Sequence, residues 1–183
     1  REAVQDVQIS GGCSDTQVSF ENNVVAGYDN GTNTACQIFS ADGGGVGYRS
    51  AQADWLDSAF TPPPFEGWYF PDRTCVKDIP SSETGACHSD GEDNEDLVVL
   101  LSFVKASLCA RINESLGLTE PGDAIPSMNA CHADTNQFDG TFTDGFRITH
   151  AVLDGQPAGC FYQDATCSGV TDFYVFYQVL KER

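Results

Sequence analysis

Eight cysteines are the residues of this 183-residue chain whose number and placement most plainly imply chemistry. Cys13, Cys36, Cys75, Cys87, Cys109, Cys131, Cys160 and Cys167 are spread over the whole length. No two are spaced Cys-x-x-Cys, so the pattern fits neither a zinc ribbon nor a thioredoxin-type redox pair. An even set distributed this way reads as four disulfides formed outside the reducing cytosol. Each successive pair brackets a turn-rich loop. The expected bonds are therefore Cys13–Cys36, Cys75–Cys87, Cys109–Cys131 and Cys160–Cys167, one of about 105 possible connectivities.

Other chemistries find less support. Residues 88–96 concentrate Asp90, Glu92, Asp93, Glu95 and Asp96, and a second acidic stretch carries Asp134, Asp139 and Asp144. Clustered carboxylates attract calcium, but neither stretch has the order of an EF-hand loop. Asp90, Glu92, Asp93, Asp134 and Asp139 are thus weak calcium candidates in what read as solvated acidic loops, and no other cofactor is implied. His88, His132 and His150 are scattered, with no His-Glu-x-x-His. There is no Gly-x-Ser-x-Gly elbow for a nucleophilic serine. Paired carboxylates of the glycosidase kind are a spatial arrangement, and acidic residues are too abundant here to single out a pair. The run Gly43-Gly44-Gly45 lacks the lysine and hydroxyl of a phosphate loop and reads as a turn. No residue set points to a reaction, and the chain reads as a non-enzyme. Trp68-Tyr69-Phe70 has two readings, core strand or stacking platform; under the second, Trp68 and Tyr69 are the candidate binding residues.

The charge narrows the partners. Nine lysines and arginines face 27 acidic residues, a formal net charge of −18. Nucleic acid and anionic membrane surfaces both call for a clustered basic surface, so both are disfavoured. A well-solvated acidic surface explains the balance, and adaptation to saline surroundings is a sharper variant of that reading. The longest apolar run is too short to span a bilayer, and residues 1–183 contain no signal-peptide pattern.

The elements that must position these residues centre on Asp96–Leu118. Leu97-Val98-Val99-Leu100-Leu101 is an apolar run suited to a strand buried on both faces. Val104, Leu108, Ile112 and Leu116 then recur every four residues, predicting an amphipathic helix from about Ser102 to Leu116. Ser102 is its expected N-cap and Gly117 its C′ residue, with Leu118 folding back on Ile112. Residues 1–10 place Ala3, Val4 and Val7 on one helical face, like the end of a longer helix. Short strands are expected at Gln17–Phe20 and Cys36–Phe39. Gly67–Phe70 and Thr74–Ile79 form an expected hairpin around Pro71-Asp72-Arg73, and Gly145–Val152 a further strand. Gly159–Tyr162 pairs with Asp172–Leu180, whose alternation leaves it apolar on both faces. The prediction is one α+β domain: an N-terminal helix end at 1–10, then a mainly antiparallel sheet with one packed amphipathic helix, stabilised by disulfides.

Gly12-Cys13-Ser14-Asp15-Thr16-Gln17-Val18-Ser19-Phe20-Glu21, Ala41–Gly45, Cys109–Leu118 and Phe173–Leu180 together resemble the pilin-like and pseudopilin-like proteins of Gram-negative bacteria. The resemblance touches the whole length, without a motif diagnostic of an activity. It implies the α+β head of a filament subunit, residues 11–183 being the globular part, in a family whose members carry an apolar N-terminal helix. On that reading the chain is expected to continue upstream of Arg1 into such a helix. It would lie in the periplasm or outside the cell, anchored through the inner membrane before assembly. Its partners would be like subunits, met through that helix, and its role would be assembly, secretion or adhesion. Two other functions compete: a free secreted binding or adhesion module, and a secreted hydrolase with an unrecognised carboxylate site.

Overall fold

Nine residues near the end of the chain, Phe173–Lys181, form the strand that the other elements surround, β7. Phe173, Val175, Tyr177 and Val179 enter one core cluster, whereas Tyr174, Phe176 and Leu180 enter two others. Both faces are thus apolar, as the alternation predicts, and both need cover. The structure, a computed structural model, describes residues 1–22, 26–29, 34–58, 67–79, 96–128, 137–142, 145–164 and 172–182.

Among those residues the elements are α1 (Glu2–Ile9), β1 (Trp68–Tyr69), β2 (Thr74–Val76), β3 (Leu97–Val104), α2 (Ala106–Ser115), β4 (Ser127–Met128), β5 (Phe146–Ile148), β6 (Ala158–Gln163) and β7. A five-stranded sheet runs β1-β3-β7-β6-β4, antiparallel except where β4 pairs with β6. The expected α+β class, the N-terminal helix and the β6–β7 pairing are all present. One side of the sheet, with Val98, Leu100 and Tyr177, packs on the parallel pair β2–β5 and on Ile79 and Leu153. The other side carries both helices.

Several expectations need correction. The expected hairpin of residues 67–79 does not form: β1 pairs with β3, while β2 leaves for the second sheet and pairs with β5. The buried Asp96 carboxylate accepts the Val76 N–H at 2.9 Å, so β2 is held beside the start of β3 instead. Gln17–Phe20 and Cys36–Phe39 meet only through an isolated parallel bridge at Ser19 and Gln37. Asp15–Gln17 is a 3₁₀ turn, and its capping box between Ser14 and Gln17 competes with strand geometry. The strand expected over Gly145–Val152 is confined to Phe146–Ile148.

The central helix starts four residues later than predicted. Val104 fits a helical stripe, but it belongs to β3, where the irregularity after Ser102 turns it to the face of Leu101 rather than that of Leu100. Tertiary pairing decides: Ser102 and Val104 stand opposite Val175 and Tyr174 on β7, with an irregularity between them at Phe103, whose φ is 62°. Lys105, not Ser102, precedes the first helical residue, and its N–H donates to the Trp55 carbonyl at 2.9 Å. At the other end Gly117 is the C′ residue as expected, while Leu118 packs with the cluster of Val98 and Leu100, and Ile112 with that of Cys109. Gly117 has φ 71°, the Leu118 N–H reaches the Asn113 carbonyl, and the Gly117 N–H reaches that of Glu114, the two bonds of a Schellman turn.

Candidate functional site

The two helices cover their face of the sheet unequally. The buried residues of α2 are Cys109 and Asn113, one position round from the predicted stripe. Leu108 and Ile112 are half-buried beside them, and Leu116 is 47% exposed. Cys109 is bonded to Cys160 on β6. This overturns the expected Cys109–Cys131 and Cys160–Cys167 pairs, because the helix seats its cysteine directly on the sheet rather than on the loop that follows it. The Asn113 side chain donates to the Cys160 carbonyl and accepts from the Cys160 N–H, both at 2.8 Å. The amide thus stands in for a neighbouring strand at a point that β4, paired only with Tyr162 and Gln163, does not reach. One covalent bond and two buried hydrogen bonds converge on a single residue.

At the other end, α1 buries Val4 and Val7 in a cluster with Phe20, Val99 and Leu180. Complete burial of each valine is worth roughly 1.5–3 kcal/mol. Beside α1 the face stays open, as a cleft of about 570 Å³. Its floor is sheet, with Val99, Gln178 and Leu180; the first turn of α1 forms one wall and residues 46–49 the other. The second wall is set by the glycine run. A Cβ on Gly43 or Gly44 would lie 2.2 Å from the Gln37 carbonyl oxygen or 2.6 Å from that of Ile38, and Gly45 has φ 65°. Only glycine allows this turn, which folds back on Gln37 and Ile38 and delivers Val46–Arg49 to the cleft.

Aromatic rings define the interior. Phe39 meets Tyr48 edge-on at 5.2 Å and Phe70 at 6.0 Å, and Phe70 stacks on Phe20 at 4.0 Å. Burial pushes the Tyr48 phenol up from its ordinary range. Trp68, the first of the two candidate binding residues, lines the cleft, half-buried and edge-on to Trp55 and Phe176. Tyr69, the second, turns to the opposite side of the sheet and lies in the core there, 7% exposed. Burial raises its phenol pKa as well. A stacking ligand therefore has access to Trp68 and not to Tyr69.

Cys13 and Cys36 form the expected bond, and Cys75 is disulfide-bonded. Cys87, Cys131 and Cys167 lie outside the described residues, as do Asp90, Glu92, Asp93 and Asp134. Asp139 is exposed, and its carboxylate accepts the Thr141 N–H at 3.1 Å. Among the described residues no three histidines, cysteines or acids gather in a way that would hold a metal ion. His150 is engaged locally: its Nδ1 accepts the Val152 N–H. Also among the described residues, no helix is long and apolar enough to cross a membrane. The bonds formed by Cys13, Cys36, Cys109 and Cys160 indicate an oxidising, non-cytosolic setting.

Neither Asn113 nor the cleft was singled out in the sequence. Asn113 had a signal, since it follows Cys109 by four residues and so shares its helical face. The cleft had none, because residues around 39–49, 68–70 and 178–180 meet only in the fold. Compared with protein-family models, curated proteins and solved structures, the chain matches none.

Proposed function

We propose that the chain is the extracytoplasmic head of a pilin-like filament subunit and has no catalytic role. The observation that carries this reading is the seating of α1. An amphipathic helix lays Val4 and Val7 on an antiparallel sheet whose central strand is the last element of the chain, and disulfides staple the unit. That is the arrangement the resemblance leads one to expect of a head domain. Immunogold electron microscopy with antibodies to this chain, on the cells that make it, tests the proposal. Label running along surface filaments is expected. Label confined to free soluble protein would overturn it.

A free secreted binding module is the second reading, and the aromatic cleft is the observation that favours it.

A further inference from the structure

We infer that the cleft beside α1 is a binding site for a small aromatic carboxylate, whichever of the two readings holds for the whole chain. Its volume of about 570 Å³ falls in the range of cavities that enclose small-molecule ligands, roughly 300–1,000 Å³. The apolar interior is already shaped. Phe39 and Tyr48 stand perpendicular to each other and Trp68 also lines the cleft, so a flat ring finds both ring edges and ring faces to pack against. Gln178, half-buried in the floor, brings an amide donor and acceptor into an otherwise apolar surface.

Charge at the mouth selects the ligand's polar end. The chain has three acidic residues for every basic one, yet the groups lining this cleft include Arg1, Arg49 and one carboxylate, Glu2. Arg1 is paired with Glu182 at 3.1 Å. Arg49 is exposed and has no carboxylate partner among the described residues. A guanidinium at the rim of an aromatic cleft, on a surface otherwise strongly acidic, complements an anionic group borne by an apolar body. It presents the planar fork that a carboxylate accepts in a bidentate manner.

Calorimetric titration with naphthalene-2-carboxylate, beside its neutral amide naphthalene-2-carboxamide, tests the site. Saturable one-to-one binding of the carboxylate is expected, with the amide about fivefold weaker, the scale of an exposed ion pair. Arg49→Gln should erase the difference between the two probes. Absence of saturation at probe concentrations on the order of 1 mM, equal binding of carboxylate and amide, or an unchanged difference between the two probes in the Arg49→Gln protein would each overturn the assignment.

Discussion

α1 and α2 lie on the same face of the same sheet, but one is packed and the other is fastened. α2 meets β6 through the Cys109–Cys160 bond and both hydrogen bonds of Asn113, so its position is over-determined. α1 holds on by Val4, Val7, an exposed Arg1–Glu182 ion pair and hydrogen bonds from Gln8 to Asp15 and from the Cys13 N–H to the Val7 carbonyl, and the nearest disulfide, Cys13–Cys36, lies beyond its end. The fastened end leaves a closed cluster. The packed end leaves an aromatic cleft. Stability and accessibility have been separated along one surface, and the accessible part falls where the backbone is less constrained, as binding sites commonly do.

The largest effect should come from unfastening α2. Cysteines 51 residues apart close a long loop, for which the chain-entropy estimate is about 4 kcal/mol. The Cys109→Ala/Cys160→Ala double variant should lose about that much in denaturant unfolding; a loss no larger than a surface substitution gives would break the contrast. Asn113→Ala comes next. It strands the N–H and C=O of Cys160 in a buried setting, and about 3 kcal/mol is expected from two unsatisfied groups. At the packed end, Val7→Ala should cost about 2 kcal/mol, through two lost carbons and a partly relaxed cavity. Leu108→Ala and Ile112→Ala fall below the cost of full burial, near 1–2 kcal/mol each, because both are only half-buried. Leu116→Ala, on an exposed side chain, should stay within about 0.5 kcal/mol.

The phenols become visible only when the pH is raised. Burial raises the pKa of Tyr177 and Tyr69 above the ordinary tyrosine value, and that of Tyr48 in the cleft also moves upward. The neutral form is favoured in the folded state, so this contribution is complete below the unfolded pKa near 10 and is lost as pH rises above it. Alkaline titration followed by ultraviolet absorbance should show Tyr48 ionising in folded protein and Tyr69 and Tyr177 only on unfolding. Simultaneous ionisation of all three would mean that the cleft is no more open than the core.

Most of the architecture was legible because it rests on local periodicity. The two-sided alternation of Phe173–Leu180, the helical spacing of Val4 and Val7, and the close at Gly117 all stand in the sequence as they stand in the fold. What misled was ambiguity that only distant partners resolve. Val104 stands in the helical stripe, yet pairing with β7 across the irregularity at Phe103 keeps it in the strand. Thr74–Val76 alternates as a hairpin partner would, yet Asp96 and β5 claimed it. Cys109 had a nearby partner in Cys131 and a spatial one in Cys160, and the helical face set the choice. For the cleft, each ingredient was visible as something else: a glycine turn, a core aromatic, a surface arginine. Nothing local ties Arg49 to Trp68 or Gln178.

Native-state hydrogen exchange, read at the amides of α1, α2 and residues 46–49 with and without saturating naphthalene-2-carboxylate, tests the division of the sheet face most directly. Without the ligand, α2 amides should exchange only through global unfolding, and α1 amides through smaller openings. With it, protection should rise in the first turns of α1 and at Tyr48 and Arg49, while α2 stays as it was. Equal protection of the two helices without ligand, or a ligand response centred on α2, would contradict the account.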